Sequence, residues 1–179
     1  MSQSQAMRLL TSNQSDEWWT PPQYVEAARQ LMGSIELDPA SSEAANKTVR
    51  AKRYFTELDL PLLQEWSAES VWLNPPYGKT MGKSLQGAFS NKLVAEFEAE
   101  RVKRAVLLVN AYFGYGWFNG LRSRGMCILD HRISFIDGRT GRQGDQAKAS
   151  SVIITFGNNW IDFQRIFSKF GPLCFPRYW

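Results

Sequence analysis

The residues best suited to chemistry are four consecutive ones, Asn74-Pro75-Pro76-Tyr77, which follow the short apolar run 71–73. Neither proline offers an N–H group to a sheet and both have a fixed φ, so the chain must leave a predicted strand at Asn74 in a rigid, extended turn. In open α/β sheets, ligands bind at the carboxyl ends of strands. An amide, a proline carbonyl and an aromatic ring at that edge suit the binding of a planar group that carries an NH2.

The exocyclic amine of a purine is a weak nucleophile because its lone pair is delocalised into the ring. The side-chain oxygen of Asn74 and the carbonyl of Pro75 can each accept one hydrogen bond from such an amine. Two acceptors would pull the nitrogen toward tetrahedral geometry and free its lone pair. We expect Tyr77 to stack on the ring, a contact that contributes roughly 1–3 kcal/mol per base. Catalysis of this kind relies on positioning and electrostatics, without a covalent intermediate.

The tetrapeptide resembles the catalytic motif of S-adenosylmethionine-dependent amino-methyltransferases, especially those that act on adenine N6 in DNA. The resemblance implies S-adenosylmethionine as the cofactor and Asn74, Pro75, Pro76 and Tyr77 as catalytic residues. Taken alone, the four residues can also be an ordinary turn with two prolines. The segments before and after them therefore matter for the interpretation.

Thr20 and Pro21 stand before a helix pattern that has Val25, Ala28 and Met32 on one face. Thr20 is a predicted N-cap, and Gly33 suits the end of the helix. In related enzymes in which this element comes first, a Thr-Pro pair at a helix start binds the methionine end of the cofactor, so the resemblance implies that role for Thr20 and Pro21. A helix N-terminus suits a carboxylate. The alternative is an ordinary capped helix.

Two acidic residues are further candidates for cofactor binding. Asp38 ends a predicted short strand and precedes Pro39, which resembles the acid-Pro pair that meets the cofactor in methyltransferases. The family pattern continues into a Gly-rich loop, whereas this chain has Ser-Ser-Glu-Ala at 41–44, so the resemblance does not decide between the methionine moiety and the ribose. Asp59 resembles the acceptor for the adenine amine of the cofactor. A strand-end turn and a solvent-facing turn acid are the respective alternatives.

Together the segments resemble the phage-type DNA adenine-N6 methyltransferases, a compact family encoded by bacteriophages and prophages. The resemblance covers roughly residues 17–157 and is strongest over 18–78. It implies DNA as the partner and the cytoplasm of a bacterial host as the location. A base inside a duplex cannot reach a pocket at a sheet edge, so the target adenine must be extruded at a cost of a few kcal/mol. We expect short or relaxed sequence specificity, carried by residues 138–148 and 78–87.

Composition agrees with a single domain. The chain has 179 residues, 44% of them hydrophobic, which predicts one domain after a polar tail over 1–15. The resemblance implies that this domain, over 16–179, is a methyltransferase domain. No apolar stretch reaches the length of a membrane span, so we expect no membrane partner. Cys127 and Cys174 form no metal-binding spacing and His131 stands alone, so we expect no metal.

Charge is distributed unevenly along the chain. Residues 1–100 carry 9 basic and 13 acidic side chains, whereas residues 101–150 carry 9 basic and 3 acidic ones. A basic second half suits attraction to DNA phosphates, although charge runs are often only solvated faces. Arg139, Arg142 and Lys148 are candidate DNA contacts in the polar segment 137–148. Phe135 is the candidate second aromatic that faces Tyr77 across a flipped base, or else a core residue.

The apolar runs predict an α/β fold, which the resemblance specifies as Rossmann-like. Residues 71–73, 105–109 and 126–129 are predicted strands, and Phe89, Leu93, Val94 and Phe97 mark a helix. We expect a mixed, mostly parallel sheet with helices on both faces. Segments 133–136 and 152–156 are predicted to pair as a C-terminal antiparallel hairpin.

Two other functions fit part of the sequence. The Asn-Pro-Pro-Tyr motif also serves methylation of a glutamine side chain in proteins, although the basic second half disfavours that substrate. A nucleic-acid-binding module that has lost turnover is the other alternative, and the missing Gly-rich loop is the feature that favours it. The sequence does not decide between a monomer and a homodimer.

Overall fold

A computed structural model of the protein describes residues 18–80 and 82–175. The tail predicted for residues 1–15 lies outside the described residues. The helices in these ranges are α1 (Pro22–Met32), α2 (Glu43–Val49), α3 (Leu85–Glu98) and α4 (Trp160–Phe167). The strands are β1 (Trp18–Trp19), β2 (Leu37–Asp38), β3 (Arg53–Tyr54), β4 (Ala68–Leu73), β5 (Lys79–Thr80), β6 (Lys83–Ser84), β7 (Val102–Asn110), β8 (Gly125–Ile128), β9 (Ser134–Asp137), β10 (Gln143–Gln146), β11 (Ser151–Phe156) and β12 (Leu173–Cys174).

Seven strands form the central sheet, in the order β12-β8-β11-β7-β4-β2-β3. Strands β3, β2, β4 and β7 are parallel to one another, whereas β11 runs antiparallel to both of its neighbours, β7 and β8. The predicted strands at 71–73, 105–109 and 126–129 all lie in this sheet. The mixed α/β architecture is therefore confirmed.

Successive residues of the central strands point to opposite faces of the sheet, and both faces are covered. Trp72, Val106 and Leu108 pack in one apolar cluster with α1 and α4. Val71 and Leu73 belong to a second cluster with α3 and the 3₁₀ turn Gly116–Leu121. The prediction of helices on both faces is confirmed. No helix in the described ranges is long and apolar enough to cross a membrane.

The predicted C-terminal hairpin is wrong. Strand β9 pairs with β10 on one side and with β1 on the other, in a separate three-stranded sheet, and β11 joins the central sheet instead. The apolar run 151–156 is buried at every position, which suits a strand covered on both faces, whereas β10 is polar and mostly exposed. Residues 138–148 are therefore a tight turn followed by a strand, and not the continuous loop expected.

Candidate active site

Asn74 lies at the carboxyl end of β4, directly after the last buried strand residue. Its Nδ2 donates a hydrogen bond to the hydroxyl oxygen of Thr20 at 3.0 Å, and the hydroxyl of Tyr77 donates to its Oδ1 at 3.3 Å. The amide is half-buried and its orientation is fixed by both partners. The oxygen therefore faces the same side as Tyr77, where an amine could replace the tyrosine hydroxyl as donor.

Thr20 is not the N-cap of α1. Pro21 holds that position with an extended backbone, Pro22 is the first helical residue, and no side chain caps the helix. Thr20 precedes the N-cap position by one residue, because Pro21 is the N-cap and Pro22 is the first residue of the helix. The threonine side chain is only 6% exposed and its oxygen serves Asn74 instead. Pro22 has no N–H and the N–H of Tyr24 donates to the carbonyl of Pro21 at 3.2 Å, so the first turn of α1 offers few backbone donors to a ligand. The predicted end of α1 at Gly33, with φ of 81°, is confirmed.

Tyr77 and Phe135 contact each other directly. Their ring centroids are 5.6 Å apart with an interplanar angle of 67°, an edge-to-face geometry. A base stacked between two rings needs about 7 Å between them, twice a van der Waals contact. The rings leave no room for a base in this arrangement, and Phe135 is a core residue with 5% exposure. Burial raises the pKa of Tyr77, and the nearby Tyr112 hydroxyl raises that pKa further.

Asp38 is buried at the end of β2, between β3 and β4. Its carboxylate accepts a hydrogen bond from the backbone N–H of Ala40 at 3.1 Å, and burial raises the pKa of this carboxyl to about 7. Ser42 caps α2 through a bond from the N–H of Ala45, so the turn after β2 enters a helix without glycines. The side chain of Ser41, like the N–H of Ala40, favours the charged form of this carboxyl. An inward-facing acid of this kind suits a cationic or hydroxyl-bearing ligand.

Asp59 lies elsewhere, on an exposed 3₁₀ turn. Its carboxylate accepts hydrogen bonds from the backbone N–H and the hydroxyl of Thr56, at 2.7 and 2.8 Å. These two bonds lower the pKa of Asp59. The side chain closes its own turn, and its neighbour Leu58 is 85% exposed. No hydrogen bond in the described ranges joins the Asp59 side chain to residues 74–77.

The three predicted basic contacts lie on the small sheet that also carries Phe135. Arg139 and Arg142 are in the turn between β9 and β10, and Lys148 follows β10. All three are exposed, and Arg139 forms an ion pair with Asp137 at 3.4 Å. Because β9 also pairs with β1, this basic edge and Thr20 belong to one local unit.

One group of residues near the site escaped the sequence reasoning. We name residues 111–115 the aromatic loop; it contains Tyr112, Phe113 and Tyr115, and it follows β7 as residues 74–77 follow β4. Strands β4 and β7 are parallel and adjacent, with Leu73 opposite Leu107. Both segments therefore leave the sheet at the same edge. The same strand-end argument that selected Asn74, applied to the run 105–109, would have found this loop.

Comparisons with known proteins identify a family. Residues 8–171 match the family model of DNA N-6-adenine-methyltransferase (Dam). A protein of Haemophilus phage HP1 (strain HP1c1), named DNA N-6-adenine-methyltransferase, is 26% identical over 151 residues, which cover 79% of this chain and 78% of that protein.

Proposed function

Because the chain belongs to the DNA N-6-adenine-methyltransferase (Dam) family, we propose that it transfers a methyl group from S-adenosylmethionine to N6 of an adenine in DNA. Residues 74–77 hold the target amine. The adenine leaves the duplex to reach these residues, because a base stacked inside a duplex cannot reach a pocket at a sheet edge. The family supports DNA as the substrate over a glutamine side chain.

The observation that carries the proposal is the orientation of the Asn74 amide. With Nδ2 bonded to Thr20, Oδ1 is left as the acceptor on the side of Tyr77. The Oδ1 of Asn74 and the carbonyl of Pro75 each accept one hydrogen bond from the adenine amine, which localises the nitrogen lone pair for attack on a methyl group. The new N–C bond would form as the bond from the methyl group to sulfur breaks, with the sulfur leaving as a neutral thioether and one amine proton passing to water. Tyr77 stacks on the base once its ring has moved off the edge of Phe135.

The residues around Asp38 and α1 suit the cofactor. S-adenosylmethionine, when bound, supplies an electrophilic methyl group on a sulfonium centre. Thr20, whose hydroxyl contacts Asn74, and Pro21, at the start of α1, hold the methionine end of the cofactor. Asp38, buried with a single backbone partner, accepts from its ammonium or from a ribose hydroxyl. Asp59 is the weaker candidate for contact with the adenine moiety of the cofactor. Its carboxylate already accepts two hydrogen bonds from Thr56, and it would have to break them or accept a further one.

The arrangement of the central sheet suits a Rossmann-like methyltransferase fold. Its four adjacent parallel strands end at the edge that carries Asp38 and Asn74, and helices cover both faces. Ligands of such sheets bind in the crevice at the carboxyl ends of the strands. The same edge thus serves the cofactor and the base, while Arg139, Arg142 and Lys148 bind the DNA backbone.

The test is transfer of labelled methyl from S-adenosylmethionine to unmethylated bacterial DNA, followed by nucleoside analysis. We expect label in N6-methyladenine with the wild type. Asn74→Ala removes the acceptor and should lower the rate at least a hundredfold, about 3 kcal/mol in the barrier. Asn74→Asp keeps an acceptor oxygen and should retain more activity than the alanine variant. Lys103→Gln, at the opposite end of β7, is the control and should match the wild type.

Three results would overturn the proposal. Label found in protein would indicate a protein amino-methyltransferase. DNA binding without cofactor binding would indicate a non-catalytic module. Equal transfer by the wild type and Asn74→Ala would place the reaction elsewhere.

A further inference from the structure

Exposed large apolar and aromatic side chains are concentrated in the aromatic loop. Within the described ranges seven such side chains are exposed, and three of them are Tyr112, Phe113 and Tyr115, at 37, 38 and 50%. Exposed aromatic side chains that cluster in one place mark a binding surface, whereas apolar side chains exposed singly are normal on any protein surface. The surface lies at the sheet edge that carries the Asn-Pro-Pro-Tyr motif.

The loop is held in shape by its own contacts. The N–H of Tyr115 donates to the carbonyl of Tyr112 at 3.0 Å, which closes a β-turn, and the two rings are 5.0 Å apart with a tilt of 30°. Phe113 packs edge-on against the buried Phe118, and the guanidinium of Arg122 donates to its carbonyl. Phe113 therefore anchors the loop, while the two tyrosine rings form its outer surface.

A basic hairpin leads into helix α3, whose first residues contact the base of the loop. Strands β5 and β6 form a hairpin directly after the Asn-Pro-Pro-Tyr motif, and it carries the exposed Lys79 and Lys83. The residues that follow the hairpin bind the base of the aromatic loop: the buried Oε1 of Gln86 accepts from the N–H of Asn110 at 3.2 Å. Trp117, just after the loop, packs so closely on Gly87 that an added Cβ would lie 2.8 Å from its ring.

We propose that Tyr112 and Tyr115 form a stacking platform for a DNA base next to the target adenine, with Lys79, Lys83 and Arg122 on the adjoining phosphates. The inference rests on the proposed function. Tyr77 is partly buried and receives the extruded adenine. The neighbouring base, which is joined to that adenine through the DNA backbone, therefore lies outside the site, at the exposed rings of Tyr112 and Tyr115. Aromatic side chains stack on any base, and cations beside them neutralise its phosphates.

The test compares DNA affinity at several salt concentrations, using a fluorescent oligonucleotide that contains a site methylated by the wild type. The variants are Tyr112→Ala, Tyr115→Ala, the two Tyr→Phe changes, and Ile161→Ala as control. Ile161 is 73% exposed but lies at the start of α4, which follows the carboxyl end of the antiparallel β11, at the opposite sheet edge.

We expect each alanine variant to bind about tenfold or more weakly, with an unchanged slope of log affinity against log salt. The phenylalanine variants and Ile161→Ala should bind as the wild type does. A second oligonucleotide with abasic nucleotides on both sides of the adenine should weaken wild-type binding by a similar factor and cancel the effect of the alanine variants. That cancellation separates stacking on a neighbouring base from stacking on the target.

Unchanged affinity in both alanine variants would overturn the inference, and so would a full alanine effect on the abasic oligonucleotide. Equal loss in the phenylalanine variants would point to the hydroxyl groups rather than the rings, which also contradicts stacking. In each of these outcomes wild-type methyl transfer to DNA still stands, so the inference can fail while the proposed function holds. Thermal unfolding of each variant shows whether it is folded.

Discussion

At Asn74, the proposed methyl transfer depends on the orientation of the side-chain amide. A free asparagine side chain presents its oxygen and nitrogen about equally well, and the two groups have opposite hydrogen-bonding roles. The hydroxyl of Thr20 resolves this by accepting from Nδ2 at 3.0 Å. Thr20 is 54 residues away in sequence and arrives from another sheet. In the proposed mechanism, the threonine therefore positions the acceptor oxygen.

Thr20→Val tests this role, since valine has nearly the same shape without the acceptor. The lost bond leaves Nδ2 without its partner, and we expect the rate of methyl transfer to fall about tenfold, at the cost of roughly 1–1.5 kcal/mol for one hydrogen bond. Thr20→Ser keeps the hydroxyl and should restore most of the rate. The measurement is single-turnover transfer with saturating cofactor, which separates rate from cofactor binding. A serine variant as slow as the valine variant would contradict the role.

Asp38 makes stability depend on pH. Burial raises the pKa of its carboxyl from 3.8 to about 7, so between these values the folded chain keeps a proton that the unfolded chain has lost. The free energy of unfolding should therefore fall as pH rises through this window, by about 1.4 kcal/mol per pH unit at the steepest. Above pH 7 the contribution is constant.

Asp38→Asn removes the titration. Denaturant unfolding of the two proteins from pH 4 to pH 8 should give curves that diverge, with the variant gaining on the wild type as pH rises. Parallel curves would show that Asp38 is already ionised in the folded chain at low pH.

The sequence predicted the ends of strands β2 and β4 better than the contacts made there. The segment Asn-Pro-Pro-Tyr ends a strand because prolines cannot continue one, and Asp38 ends another for a similar reason. The bond from Asn74 to Thr20 could not be predicted, because it joins two sheets and depends on the residue at which α1 begins. Phe135 could not be placed either, since an apolar strand residue is compatible with both core and site.

Among the elements, the small sheet of β1, β9 and β10 positions Thr20. Strand β1 is only two residues long, and Trp18 pairs opposite Asp137. The ring of Trp18 lies over Gly144 of β10, where an added Cβ would be 2.4 Å from it. Glycine at 144 thus allows the tryptophan to cover the sheet and keep β1 in register.

Gly144→Ala forces Trp18 away and should lower stability by about 1–3 kcal/mol, the usual cost of overpacking. Methyl transfer should fall with it, because β1 leads directly into Thr20. Gly120→Ala is the control, since the nearest atom to its Cβ would be 3.8 Å away. Thermal unfolding and transfer rate measure both effects. An unchanged rate of methyl transfer in Gly144→Ala would mean that β1 does not position Thr20.

The sequence misassigned the partners of β9 and β11 because pairing is not encoded in apolar periodicity alone. Segments 133–136 and 152–156 are both apolar and β-branched, and they suit each other as hairpin arms. The full burial of β11 on both faces is possible only inside the central sheet. A polar strand such as β10 gives a weak signal, yet it is the true neighbour of β9.

For the whole molecule, charge asymmetry predicts a measurable salt dependence. Residues 101–150 carry a net charge of +6, from 9 basic and 3 acidic side chains. Arg142 and Lys148 are exposed on the same small sheet as Phe135. Phosphate contacts by these two residues would release counterions when DNA binds.

Arg142→Gln combined with Lys148→Gln should reduce the slope of log affinity against log salt by about 2, roughly one per contact. Lys103→Gln, at the amino-terminal end of β7, should leave the slope unchanged. Fluorescence anisotropy between low and moderate salt gives both slopes. If the double variant kept the wild-type slope, Arg142 and Lys148 would not contact the DNA phosphates.

The position of β11 has a consequence for the order of folding. Strand β8 is made before β11, but its neighbours in the central sheet are β11 and the still later β12. A nascent chain that ends before residue 151 therefore has an unfinished sheet, in which the apolar segment 105–109 of β7 is unpaired at one edge and β8 has no neighbouring strand. Such edges invite association between chains. Residues 151–174, which contain β11 and β12, close the sheet, so that three of its seven strands can pair only after residue 151 has been made.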